Sequence, residues 1–218
     1  MKNHKDIQHA LFINLETRKD REIEVINEFK KLDIPIERMN ATILKNKRAA
    51  CSMSHLKCLQ TAKNNNWDHV LIVEDDIQFL NPELFINNLN QFLSSNIKWD
   101  VLLFAGNNVP PYTKYEDFCV KVTRCQTTTG YLVLNHYYDT LINNIKQGMN
   151  LLIQSPNSHL FYAIDKYWQS LQVFDNWFLI TPLTVIQREG FSDIENKKTN
   201  YSSLLLDLDK EMLCKKLK

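Results

Sequence analysis

The stretch "HVLIVEDDIQF" (69–79) sets four apolar residues, Val70 to Val73, directly before three acids, Glu74, Asp75 and Asp76. A short apolar run of this kind reads as a buried strand. Three adjacent carboxylates at its end answer no structural need of a strand. In extended chain Glu74 and Asp76 point to one side and Asp75 to the other. In open α/β sheets, ligands bind at the carboxyl ends of the strands. Carboxylates this close repel one another and raise each other's pKa. A hard divalent cation relieves that repulsion and keeps positions open for substrate phosphates. The residues alone therefore mark a metal or phosphate site at a sheet end. The competing reading is a solvated turn with helix-capping acids.

Strands and helices alternate around this stretch. "ALFINL" (10–15) reads as a buried strand. Ile23, Ile26, Phe29 and Leu32 then recur at helical spacing, with Thr17 as N-cap. "IPIERMNAT" (34–42) reads as a second short strand. "CSMSHLKCLQTAKNNN" (51–66) reads as a helix capped by Ser52 or Ser54. "NPELFINNLNQFL" (81–93) has Asn81 as N-cap and Pro82 at the first helical position. "WDVLLFAG" (99–106) is a further buried strand. Such alternation predicts an α/β fold with a mostly parallel central sheet flanked by helices.

The second half is less regular. Strands are expected at 119–125 and 127–135, and a helix over 136–148 that ends at Gly148. A single aromatic-rich helix is expected over 159–171. Pro182 makes 176–187 an edge or broken strand. Residues 202–218 read as a closing helix with a basic end. The organisation expected is one domain over 1–218. A nucleotide-binding half covers about 1–106, an acceptor half about 107–195, and the closing helix 202–218.

Bulk properties exclude several classes. The 218 residues are 44% hydrophobic and 23% charged, as in soluble globular proteins. A formal net charge of +1 argues against a general nucleic-acid binder. No run approaches the roughly 18 apolar residues of a membrane span. The opening "MKNHKDIQHALFINL" lacks the apolar core of a signal peptide. Five cysteines without a CxxC read as free thiols of a reducing compartment, and so favour a cytoplasmic location. The closing helix could dock on its own domain, contact a membrane surface peripherally, or pair two copies.

Several stretches together resemble family 25 glycosyltransferases. These include bacterial lipopolysaccharide glycosyltransferases and domains acting on collagen hydroxylysine. The stretches are "FINLETRKDR" (12–21), "MNAT" (39–42), "CSMSHLKCLQTA" (51–62), "VLIVEDDIQF" (70–79), "TTTGYLVLN" (127–135), "AIDKYW" (163–168) and "PLTVIQREGFSDI" (182–194). The resemblance implies a GT-A-like, Rossmann-type fold, a nucleotide-sugar donor (a UDP-sugar is expected), Mn²⁺ or Mg²⁺, and inversion at the sugar carbon. The acceptor would be a glycan or glycoprotein.

By the same resemblance, Asn14, Leu15, Arg18, Arg21 and Ala41 lie at the donor, as do the Ser54–His55 pair, Gly130 and Gln187. Glu74, Asp75 and Asp76 match the acidic metal motif. Asp76 is the first choice for the metal, with Glu74 or Asp75 on ribose or assisting through water. Gln187 and Asp193 are the nearest candidates for a late metal ligand. Asp165 is the expected base, against the reading of a surface acid beside Lys166. His55 is expected to orient ribose or serve the structure rather than bind metal, and Cys51 and Cys58 to be buried thiols. Ala50 stands where the family has Gly, which leaves room for a non-catalytic nucleotide-sugar or glycan binder. A phosphate-ester hydrolase ranks low, because no DxDxT nucleophile motif is present.

Overall fold

The computed structural model describes residues 1–210. Strands β1 (Ala10–Asn14), β2 (Glu37–Asn40), β3 (His69–Glu74), β4 (Ile77–Phe79) and β5 (Val101–Leu103) alternate with helices α1 (Lys19–Lys30), α2 (Lys47–Asn64) and α3 (Pro82–Ser94). Strands β6 (Asn107–Asn108), β7 (Tyr112–Glu116), β8 (Cys119–Val122), β9 (Cys125–Gln126) and β10 (Gly130–Leu134) follow. Then come α4 (Tyr138–Gln154), α5 (His159–Tyr162), α6 (Ile164–Tyr167) and α7 (Gln169–Gln172). The chain closes through β11 (Trp177–Ile180), β12 (Val185–Gln187), β13 (Gly190–Ser192), β14 (Lys197–Thr199) and α8 (Ser202–Leu205).

Among the described residues the central sheet has eight strands, in the order β2-β1-β3-β10-β5-β11-β8-β7. The sheet is mostly parallel in strand direction. Strands β2, β1, β3, β5, β11 and β7 run one way, and β10 and β8 run against them. Three small two-strand pairs, β12-β4, β13-β14 and β6-β9, stand beside it.

β3 explains the layering. Its apolar residues are all fully buried, and they alternate between two cores. Val70 and Ile72 pack with Leu56 and Leu59 of α2, Leu141 and Ile145 of α4, and Trp168. Leu71 and Val73 pack with Val25 and Phe29 of α1 and with Phe85, Leu89 and Phe92 of α3. Helices thus cover both faces. Each such side chain contributes roughly 1.5–3 kcal/mol by leaving water.

Local starts and stops depart from the sequence reading in physically specific ways. α3 starts as expected, with Asn81 Oδ1 accepting from Leu84 N at 3.1 Å and Pro82 following. α1 begins after Arg18 with no side-chain cap, so Thr17 is not its cap. α2 begins a full turn before the serines, where Asn46 Oδ1 accepts from Ala49 N at 3.1 Å. Ser52 and Ser54 sit inside the helix and donate back to Arg48 O and Ala50 O. That bond hides a hydroxyl within a helix. Ala50 lies in regular helix, where a glycine would be the weaker residue.

Gly148 does not end α4, which continues to Gln154. A Cβ there would meet Tyr167 Cγ at 2.8 Å, so the glycine makes room for a ring. The expected helix over 159–171 is three short ones, turned at Ala163 by extended backbone (ψ 149°). β11 is broken after Ile180, but it is central rather than an edge, lying between β5 and β8. Pro182 falls just beyond it and so removes no ladder donor. Among the described residues the closing helix spans Ser202–Leu205, and residues 211–218 of that expectation lie outside the described residues. Among the described residues no helix is long and apolar enough to cross a membrane.

Candidate active site

β3 delivers its acids to the sheet's carboxyl end, where Asp75 and Asp76 form the turn into β4. Here the chain leaves the strand, and the strict alternation of faces ends. A cleft of about 620 Å³ opens over this turn. Glu74, Asp75 and Asp76 line it with Leu15, Arg18, Arg21, Ala41, Ser54 and His55. Asp165, Gln187 and Asp193 line it from the second half of the chain.

Each acid has a different environment. Glu74 Oε1 accepts from Thr128 Oγ1 and Oε2 from Gln187 Nε2, both at 2.8 Å. Burial works against its charge, but His55, Thr128 and Gln187 outweigh burial and hold its pKa below the ordinary value. Asp75 Oδ1 accepts from Arg21 Nη1 and Oδ2 from Asn14 Nδ2, again at 2.8 Å. Burial nonetheless raises the Asp75 pKa. Asp76 is the outlier. Its Oδ1 is buried without a hydrogen-bond partner, and Arg21 Nη1 stands 3.7 Å from its Oδ2. Burial first, then the charges of Glu74 and Asp75, push its pKa up to about 8.

A buried carboxylate oxygen without a donor, beside two satisfied acids, fits a hard divalent cation. Asp76 would hold it directly, with Glu74 next to it. Gln187 gives its amide to Glu74, and Asp193 Oδ2 lies 3.6 Å from Arg18 Nη1.

Asp165 sits on α6 and faces the cleft, so it is not a surface acid beside Lys166. Its Oδ2 accepts from Thr127 N at 3.1 Å. Lys166 instead reaches Gln126 Oε1. Burial raises the Asp165 pKa. Thr127, which presents that amide, has φ 75°. A β-branched residue in the left-handed region is a strained one, and such strain gathers at functional sites.

Two expected donor residues do not line the cleft. Asn14 is buried at the end of β1, where it holds Asp75 and Arg18 O rather than a ligand. Gly130 faces the core, where a Cβ would meet Ile77 Cδ1 at 2.9 Å and Val73 Cγ1 at 3.3 Å. The Ser54–His55 pair lies in mid-helix rather than at a helix start. Ser54 Oγ accepts from Thr42 N at 2.8 Å, which holds the 41–44 loop at the rim. His55 Nδ1 meets Tyr131 OH at 2.9 Å, and its Nε2 lies 3.6 Å from Glu74 Oε1.

Sequence reasoning missed Thr128, Cys51 and the cationic rim. Cys51 packs against the core on one side and lines the cleft on the other. At the rim, Lys47 Nζ donates to Asp193 O and Arg48 Nη2 to Glu195 Oε1, each at 2.6 Å. Arg21 Nη2 donates to Phe191 O at 2.9 Å. The basic run "KNKR" (45–48) was the available signal.

The family model of glycosyltransferase family 25, described as an LPS biosynthesis protein, matches residues 42–168. The chain belongs to glycosyltransferase family 25. The matched span includes the acid turn, the Ser54–His55 pair and Asp165. As a family 25 member the protein is a glycosyltransferase, on a mixed α/β fold. Solved structures to which the chain shows some similarity include a glycosyltransferase involved in the glycosylation of the major capsid of PBCV-1. That match has 11% identity and a TM-score of 0.41, and it covers 80% of this chain and 92% of the other. Another is a Drosophila beta-1,4-galactosyltransferase 7 mutant in complex with manganese, UDP-Gal and xylobiose. It has 11% identity and a TM-score of 0.43, and covers 96% of this chain and 78% of the other. No curated protein sequence matches this family 25 chain.

Proposed function

We propose that the chain is a metal-dependent, inverting glycosyltransferase that moves a hexose from a UDP-sugar to a hydroxyl of a glycan or glycoprotein. The observation that carries this reading is the unpartnered, buried Oδ1 of Asp76 at the floor of the cleft. Asp76 and Glu74 would hold Mn²⁺ or Mg²⁺. When bound, that ion stabilises the charge on the leaving diphosphate.

The chain's own groups do the rest. Arg18 and Leu15, with Ala41 on the facing loop, border the donor. Arg21 and Asn14 fix Asp75, which faces the ribose. Asp165 takes the proton of the acceptor hydroxyl as that oxygen attacks the anomeric carbon from the face opposite the diphosphate. Residues 1–106 supply most of the donor side, and residues 107–195 the acceptor side. The 190–199 hairpin closes the rim and keeps water from the donor. A cytoplasmic enzyme working on a lipopolysaccharide-type, capsular or glycoprotein acceptor agrees with the free thiols and the family.

The test is UDP release from a set of UDP-sugars with and without Mn²⁺, paired with thermal-shift measurements. Metal-stimulated release is expected. A thermal shift without any release would indicate a binding protein instead. Neither shift nor release with any nucleotide sugar would end the proposal.

A further inference from the structure

The cleft floor carries a second donor set that shares only Glu74 with the acid turn. Cys51 and His55 stand four residues apart on α2, so their side chains share a helix face. Glu74 enters the same space from the end of β3. Cys51 Sγ is 3.9 Å from Glu74 Oε1, and His55 Nε2 is 3.6 Å from the same oxygen. All three donor atoms lie within 4.8 Å of one another. Around a tetrahedral zinc ion with bonds of about 2.0–2.3 Å, ligand atoms sit roughly 3.3–3.8 Å apart. Small movements therefore close this set on a cation.

The outer contacts resemble those that orient metal ligands. Tyr131 OH holds His55 Nδ1 at 2.9 Å, which leaves Nε2 facing the cluster. Thr128 and Gln187 hold the two oxygens of Glu74, each at 2.8 Å. Tyr131 is fully buried and His55 nearly so, which anchors that side of the set.

We propose that Cys51, His55 and Glu74 form a binding site for a thiophilic divalent cation of the zinc class, with its fourth position open to the cleft. Thiolate and imidazole select such ions, whereas the carboxylate of Asp76 selects Mg²⁺ or Mn²⁺. On binding, the Cys51 S–H bond breaks, the sulfur–metal bond forms, and one proton leaves to solvent. Glu74 is common to both donor sets, so a zinc-class ion competes with the hard cation. The inference goes beyond sugar transfer and does not depend on it.

The experiment is a Co²⁺ titration of the purified, metal-free, full-length protein followed by absorption. A thiolate-to-cobalt charge-transfer band is expected at one ion per chain, and Zn²⁺ should abolish it. Losing even an outer partner costs metal sites roughly 10–100-fold in affinity. Cys51→Ser should therefore remove the band and weaken Co²⁺ binding by at least about tenfold. His55→Gln should weaken binding similarly, and Asp76→Asn should keep the band. Circular dichroism checks that the variants fold. Absence of a band in the unmutated protein overturns the proposal even if every variant unfolds. A band that survives Cys51→Ser, or is lost in folded Asp76→Asn, overturns it as well. Mn²⁺ binding, read separately by electron paramagnetic resonance, reports on the hard-cation site and so keeps the two readings apart.

Discussion

Gln187, at the end of β12, donates its side-chain amide to Glu74, at the end of β3, over 2.8 Å and 113 residues of sequence. Beside this bond, Arg188 N donates to Asp76 O at 2.6 Å, and β12 pairs with β4. The acid turn is thus clamped by a segment from late in the chain. Replacing Gln187 by Leu leaves a Glu74 oxygen without its donor. Mn²⁺ affinity should fall about 10–100-fold, the range for partners that orient a metal ligand. Titration followed by electron paramagnetic resonance measures it, and unchanged affinity would show the clamp to be dispensable.

Asp76→Asn removes the unsatisfied acid of the turn and keeps its shape. The melting temperature of the metal-free protein should hold or rise, because a buried, repelled carboxylate is gone. Stabilisation from Mn²⁺ should vanish, and transfer should drop by at least about 10²–10³-fold, the scale of lost electrostatic stabilisation. Melting curves with and without Mn²⁺, together with UDP release, test both halves.

Asp165→Asn keeps the hydrogen bond from Thr127 N but cannot accept a proton. Loss of a general base typically costs 10²–10⁴-fold, so transfer should fall by about that much. Thermal shifts with donor and metal should persist. Parallel loss of donor binding would assign Asp165 a structural role.

Gly148→Ala places a methyl group 2.8–3.0 Å from Tyr167 ring and Cβ atoms. Overpacking of this kind costs roughly 1–3 kcal/mol. A lower urea midpoint with an unchanged slope is expected. Tyr167 shares α6 with Asp165, so transfer should suffer more than donor binding does.

His69 sits buried at the start of β3, where its Nε2 accepts from Gln8 N at 3.1 Å. Burial, then nearby His9, lowers its pKa from the ordinary 6.5. The fold therefore favours the neutral ring. The stability this represents is complete above pH 6.5 and is lost as the pH falls through the lowered value. Melting temperature should decline on acidification below neutrality. The decline should be shallower in His69→Gln, which keeps an acceptor that cannot titrate. Identical pH profiles would remove His69 from the account.

Local signals were the legible ones. Asn81-Pro82-Glu83 starts α3 as read, because a cap is written in adjacent residues. The strand before Glu74 and the acid turn were legible through an apolar run that stops in charge. What sequence hid was contact between distant residues. Gly148 looks like a helix end until Tyr167 is laid against it. Ser52 and Ser54 look like caps until their hydroxyls are found bonded to the turn behind them. Cys51 reads as a core thiol because the glutamate it faces is on another element. Asn14 and Gly130 fall in the right motifs, yet one supports Asp75 and the other makes room for Ile77.

The placement of β10 has a consequence for how the chain is made. It lies between β3 and β5, although it is synthesised after both. Until residue 134 has left the ribosome, the edges of β3 and β5 that face β10 have no neighbour. A nascent chain ending near 106 would carry every acid of the turn on a β2-β1-β3 sheet still cut off from β5. Fragments cut at the apparent midpoint should aggregate rather than bind nucleotide, since open apolar edges recruit other strands. The two halves that differ in sequence texture are therefore not units that fold one after the other.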